Sequence, residues 1–128
     1  MMFVLSSRSL QKLVGVHPDL VKVAHRAIQI SPVDFVITCG MRTVAEQKKL
    51  VAMGASKTMR SRHLTGHAID LAPIGPNGKV AWDWPLFYKL APAMKSAAIE
   101  LEVALEWGGD WKSFPDGPHF QLSWESYP

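Results

Sequence analysis

The stretch "SRHLTGHAID", residues 61–70, sets two histidines, an aspartate and a glycine within ten positions. How it is read decides both the fold and the chemistry of the chain. His63 and His67 stand four residues apart, the spacing that puts two imidazoles on one face of a zinc-binding helix. Two features argue against a helix. Leu64 stands where a His-Glu-x-x-His motif carries its general base, and Thr65-Gly66 is a poor helix interior. The continuation "HAIDLAP" (67–73) alternates instead, with Ala68 and Asp70 on one side and Ile69 and Leu71 on the other, which is the period of a strand. The stretch therefore reads as an irregular polar segment running into a strand. Gly66 lets the backbone turn so that His63 and Asp70 can converge.

Working outward, "DFVITCG" (34–40) is a short β-branched apolar run closed by glycine, a buried strand. "RTVAEQKKLVAMG" (42–54) reads as a helix with Thr43 and Glu46 as a capping box and Gly54 as its stop. Towards the N-terminus, "SSRSLQKLVGV" (6–16) opens on cap-type serines and places Leu10, Leu13 and Val14 on one helical face. "HPDLVKVAHRAIQI" (17–30) has Pro18 and Asp19 in a first turn and Leu20, Val23, Ala24 and Ala27 at helical spacing, with His25 on the surface. Beyond the central strand, "IGPNGKVAWDW" (74–84) is a turn-rich connection. A long helical pattern then runs from Pro85 through Leu90, Met94 and Leu101 to Leu105, where Pro92 should kink the helix or mark its true first turn. "LEWGGDW" (105–111) turns on Gly108 and Gly109, and "HFQLSW" (119–124) reads as a final strand. The expected class is α+β: a small, mostly antiparallel sheet with helices packed on it, in a single domain spanning residues 1–128.

Composition limits the functions open to such a chain. It has 128 residues, enough for one core, and 48% hydrophobic with 20% charged residues is the balance of a soluble globular protein. No run reaches the roughly 18 apolar residues that span a bilayer. "MMFVLSSRSL" (1–10) has too short an apolar run, and no basic residue before it, for a secretory signal, so synthesis in the cytoplasm without stable membrane insertion is expected. The net charge is +3, but the lysines and arginines are scattered rather than gathered in the stripe of a nucleic-acid binder. Mild basicity suits an anionic cell wall. The single cysteine, Cys39, excludes an intramolecular disulfide and a cysteine-based zinc finger, and its place at a strand end reads as a small core residue.

A catalytic zinc site takes three protein ligands and leaves one position for water. His63 and Asp70 offer two. "FPDGPHFQL" (114–122) offers a third in His119, with Asp116 three residues earlier across Gly117-Pro118. That spacing brings a carboxylate near the ligand without making it one, as a general base acting on water requires.

These residues carry a resemblance. Ser61-x-His63-x-x-Gly66-x-Ala68-x-Asp70 resembles the signature of zinc-dependent peptidoglycan peptidases, which include D-alanyl-D-alanine carboxypeptidases and dipeptidases and the L-alanyl-D-glutamate endopeptidases of phage lysis systems. Asp116-x-x-His119 resembles the second half of that signature, and "CGMRT" (39–43) its Gly-x-Arg segment. "SRSLQKLVGVHPDLVKV" (7–23) resembles the start of the phage members, so the likeness covers almost the whole chain. It implies the Hedgehog/D,D-peptidase fold, with zinc held by His63, Asp70 and His119. It also implies Asp116 as general base and then proton donor to the leaving amine, and Arg42 as the group that stabilises the oxyanion or orients substrate. Ser61 and His67 are expected beside the ligands, Ser61 holding the loop and His67 supporting a ligand or facing substrate. Trp107, Trp111 and Trp124 either line a groove or pack the core. Several carboxypeptidases carry Glu where this chain has Asp116, and the shorter side chain leans towards the phage branch.

The expected function is that of a monomeric phage or prophage endolysin, a zinc endopeptidase cutting peptidoglycan stems between L-Ala and D-Glu. It would be made in the host cytoplasm and released to the wall by a holin. The lack of a wall-binding module favours a Gram-negative host. A D-alanyl-D-alanine carboxypeptidase would share every ligand. A non-catalytic, zinc-containing wall-binding module would have no chemical need for Asp116 or Arg42.

Overall fold

The computed structural model describes residues 2–128. In chain order these form α1 (Ser7–Lys12), α2 (Pro18–Ile30), β1 (Phe35–Cys39), α3 (Val44–Ala52), a 3-10 turn (Arg62–Thr65), β2 (Ala68–Pro73), α4 (Trp84–Glu100), β3 (Leu105–Trp107), a second 3-10 turn (Gly108–Asp110) and β4 (His119–Leu122). The strands make one sheet in the order β1-β2-β4-β3, and every neighbouring pair is antiparallel. The architecture is the α+β arrangement expected from the sequence. Among the described residues no helix is long and apolar enough to cross a membrane.

Strand alternation divides the sheet into two faces. Phe35, Ile37, Ile69, Leu71, Phe120 and Leu122 are buried on one face, in a core shared with Leu20, Val23, Ala27 and Ile28 of α2 and Leu90, Met94 and Ala97 of α4. Each Val, Leu, Ile, Phe or Met among them contributes about 1.5–3 kcal/mol on burial. The opposite face carries Asp70, His119 and Gln121, so the core holds the sheet that presents the polar row.

The local signals around α3 act as read. The Thr43 side chain accepts from the Glu46 N–H, and the Glu46 side chain from the Thr43 N–H. Three expectations are corrected. α1 stops at Lys12, which leaves Val14 beyond it, and Leu10 lies on its exposed side, so only Leu13 of the expected stripe is buried. Ser9 is buried instead, and its hydroxyl accepts from the Ile37 N–H at 3.0 Å. α4 ends at Glu100 rather than at Leu105, because Glu102 turns the chain with φ of 58°, and Leu105 opens β3. Of the two readings of Pro92, the first turn of α4 is the one overturned. Pro85 occupies the first turn and Pro92 lies inside the helix on its exposed side, where its missing N–H leaves the carbonyl four residues back without its usual donor.

Candidate metal and catalytic site

Register brings the polar row together. Asp70 of β2 lies opposite His119 of β4 on one side and Cys39 of β1 on the other. His63 reaches the same place from the 3-10 turn that precedes β2. The Ser61 hydroxyl caps that turn, accepting from the His63 N–H at 3.2 Å. Gly66 closes it in the left-handed region (φ 74°), and a Cβ there would fall on the Gly15 carbonyl. Glycine is thus required both by conformation and by close approach.

His63 Nε2 stands 3.3 Å from Asp70 Oδ1, and His119 Nδ1 stands 3.4 Å from the same oxygen. Oδ1 is buried and has no hydrogen-bond partner among the described residues. A buried carboxylate oxygen left so is costly unless a cation completes it. Tetrahedral bonds of about 2.0–2.1 Å to zinc set neighbouring ligand atoms about 3.3–3.4 Å apart. The observed separations match that edge, so the residues fit a tetrahedral ion.

The far side of each imidazole is also engaged. His63 Nδ1 donates to the Gly40 carbonyl at 2.9 Å. His119 Nε2 donates to Gln121 Oε1 at 2.8 Å, and Gln121 Nε2 donates to Glu106 Oε2 at 3.1 Å. These partners leave His63 Nε2 and His119 Nδ1 as the nitrogens that face Asp70. Burial pulls the His63 pKa down, but the hydrogen bonds and negative charge of Asp70 and Cys39 outweigh it and hold the value at about 10. Burial pushes Asp70 up, yet the close approach of the His119 and His63 imidazoles and their positive charge hold it well below the usual carboxylate range.

Cys39 is corrected from core residue to neighbour of the site. The β1–β2 register slips between Ile37 and Cys39, and this bulge turns Cys39 away from the core face that Phe35 and Ile37 occupy. Its Sγ lies 3.7 Å from His63 Nδ1 and accepts from Arg42 at 3.3 Å. Burial raises the thiol pKa, but the His63 hydrogen bond and charge bring it below its ordinary value. Cys39, His63 and Asp70 offer ligand atoms within 4.8 Å of one another, a second set able to hold an ion. Cys39 approaches the His63 nitrogen already bonded to Gly40, however, whereas His63 and His119 both face Asp70 Oδ1.

Asp116 sits in the turn before β4. Its N–H donates to the Gly108 carbonyl at 2.9 Å and its carbonyl accepts from the His119 N–H at 3.2 Å. Gly108 is needed here, since a Cβ would meet the Asp116 carbonyl at 2.5 Å and His119 Cβ at 3.1 Å. Burial and then the charge of Asp70 push the Asp116 pKa up, against the opposing pull of His119, His63 and Arg42. Arg42 donates to Gln47 Oε1 at 2.7 Å and stands 4.0 Å from Asp70 Oδ2. One cavity is lined by Arg42, Ser61, His63, Asp70, Asp116 and His119 together.

Trp111 and Trp124 also line that cavity, with the Trp111 ring 5.1 Å from that of His119. Trp107 does not; it is buried against Phe120, and its Nε1 donates to the Gly117 carbonyl at 2.7 Å, bracing the turn that carries Asp116. His67 is not brought to the cavity. Its Nδ1 pairs with the Thr65 hydroxyl at 2.7 Å and its ring lies 5.5 Å from His17. Gln121, Glu106 and Gln47 are functional neighbours that the sequence reading missed. Gln121 alone left a signal, two residues after His119 on the same face of a strand.

The profile of the phage L-alanyl-D-glutamate peptidase family matches residues 1–122. The L-alanyl-D-glutamate peptidase of Escherichia phage T5 is 41% identical over 120 residues, 91% of this chain and 87% of that protein. The peptidoglycan L-alanyl-D-glutamate endopeptidase CwlK of Bacillus subtilis is 36% identical over 104 residues, 70% of this chain and 61% of that one. The crystal structure of the Serratia marcescens L-Ala D-Glu endopeptidase ChiX superposes with a TM-score of 0.92 at 46% identity, covering 100% of this chain and 94% of that one. The chain therefore belongs to the phage L-alanyl-D-glutamate peptidase family.

Proposed function

We propose that this protein is a zinc-dependent endopeptidase that hydrolyses the L-Ala–D-Glu bond of peptidoglycan stems, with His63, Asp70 and His119 as metal ligands. The observation that carries the reading is Asp70 Oδ1, buried and without a hydrogen-bond partner among the described residues, faced by two imidazole nitrogens and sharing a cavity with Asp116 and Arg42. Zinc, when bound, lowers the pKa of water and polarises a carbonyl. Two nitrogens and one carboxylate oxygen are a donor set that suits it.

The chain's own groups do the rest. Asp116 takes the proton of the attacking water at its carboxylate and returns it to the departing D-Glu nitrogen. Its raised pKa makes it a better proton acceptor than an ordinary aspartate. The Arg42 guanidinium, held by Gln47 and half-buried, meets the negative charge that grows on the scissile carbonyl oxygen. Ser61 fixes the turn that aims His63. The site is complete within one chain, which supports a single-domain monomer. The phage relative supports a lytic role, with the protein made in the host and released to its wall.

Digestion of purified Gram-negative sacculi, followed by mass spectrometry, tests the reading. Chelator-sensitive release of peptides that begin at D-Glu is expected. Release of terminal alanine alone would assign a D-alanyl-D-alanine carboxypeptidase instead, and an unchanged wall would remove the enzyme reading for this substrate.

A further inference from the structure

We propose that Arg60 binds a free carboxylate of the stem peptide on the D-Glu side of the cleaved bond, and so selects anionic stems. The inference rests on the endopeptidase reading and extends it to substrate recognition. The cavity runs from the metal-facing residues past Ser61 to a wall formed by Thr58, Arg60 and Trp124. Three arginines line it, and their surroundings differ. Arg42 is engaged by Gln47 and Asp70. Arg62 is buried over the Trp124 ring and donates to the carbonyls of Leu122, Ser123 and Tyr127, which ties down the C-terminal segment. Arg60 is exposed and has no acidic partner among the described residues. Its guanidinium carbon lies 5.8 Å from the Trp124 ring centroid, a flat wall against which the group can stack.

The loop that carries Arg60 is fixed. The Arg60 N–H donates to the Thr58 hydroxyl at 2.9 Å, and the Thr58 carbonyl accepts from Gln47 Nε2 at 2.6 Å. Gln47 is fully buried, and its other amide atom holds Arg42. One buried amide therefore sets both the arginine beside the reacting centre and the loop bearing the arginine further along the groove. The backbone of this loop is thus ordered without substrate, and the exposed guanidinium can take a carboxylate in its fork.

The substrate's charge is lopsided in a matching sense. On the L-Ala side the stem joins the glycan through an uncharged amide. On the other side, D-Glu uses one of its two carboxyls to continue the chain and keeps the other as an anion. The next residue adds a second carboxylate where it is diaminopimelate and none where it is lysine. Arg60 is the cation in the cavity left to meet such a group.

Steady-state kinetics on three synthetic stems test this: one with D-Glu followed by diaminopimelate, one with the free D-Glu carboxyl amidated, and one with lysine in place of diaminopimelate. Arg60→Ala should lower kcat/KM on the fully charged stem by roughly ten- to hundredfold, the span of a hydrogen bond to a charged group, mostly through KM. The gap that wild type shows between the charged stem and one of the neutralised stems should close in the variant. The stem whose gap closes identifies the carboxylate. Arg60→Lys should keep part of the preference, since it retains the charge and loses the fork. Unchanged kcat/KM in Arg60→Ala, or an equal loss on all three stems at unaltered melting temperature, overturns the proposal. Failure of wild type to cut any stem before D-Glu is a separate result, which removes the endopeptidase reading and this inference with it.

Discussion

Asp70 is the residue on which the site turns. One of its oxygens faces two imidazoles and the other faces Arg42, so removal of either histidine leaves a buried carboxylate short of a partner. His119→Ala is expected to lose both zinc and activity, which metal analysis of the purified variant checks. Stoichiometric zinc in that variant would show that His119 is not a ligand. Asp116→Asn should keep zinc and fold but lower kcat by about 10²–10⁴, the usual contribution of a positioned base. The pH profile gives the sign. A base works deprotonated, so activity falls as pH drops through its pKa, and burial with the Asp70 charge places that acid limb above the ordinary aspartate value of 3.8. The asparagine variant should lack the limb. His63, Asp70, Asp116 and His119 were legible in the sequence because local spacing marks them. Cys39 was not, because its position depends on a one-residue slip between β1 and β2 that no local pattern announces.

At the scale of elements, the sheet both gathers the proposed ligands and orients them. Gln121 follows His119 by two positions on β4, and β3 places Glu106 opposite Gln121. Glu106 accepts from the amide nitrogen, so the amide oxygen must face His119. Glu106→Ala would free the amide to turn over, and zinc affinity should fall by about tenfold or more in a competitive chelator titration, as losses behind metal ligands do. An unchanged affinity would mean that the β3–β4 pair has no part in holding His119. The turn expected at Gly108 and Gly109 is present, but β3 just before it was not anticipated. Three residues carry too little alternation to mark a strand, and pairing with β4 is what makes them one. The end of α4 was misread for a related reason, since helical spacing continues in the sequence past the residue that breaks it. Glu102 pays no penalty visible in a sequence pattern, yet its φ of 58° disfavours any side chain. Glu102→Gly should therefore stabilise the fold by about 0.5–1 kcal/mol, read as a raised Tm.

For the whole molecule, the site is a local charge arrangement whose stability depends on pH and, with the proposed ligands, would depend on metal. In the metal-stripped protein the His63 pKa rises from 6.5 to about 10, so its stabilising contribution is complete below 6.5 and is lost as pH climbs towards 10. The Asp70 pKa is depressed from 3.8, so its contribution is present above that value and disappears as pH falls below it. The stripped fold should therefore be most stable between these limits and weaken on the alkaline side. Zinc held as proposed would reverse the proton requirement, because a ligating imidazole must be neutral and the ion would have to displace the proton on His63. Metal binding thus strengthens over the range in which the stripped protein loses its ion pair. Calorimetry at about pH 6 and about pH 9, with zinc and with a chelator, should show the difference in Tm between loaded and stripped protein widening at the higher pH. A gap that narrows instead would separate His63 from the metal. The ion pair would then be a feature of the fold alone, and the metal would have to be sought at a different set of donors.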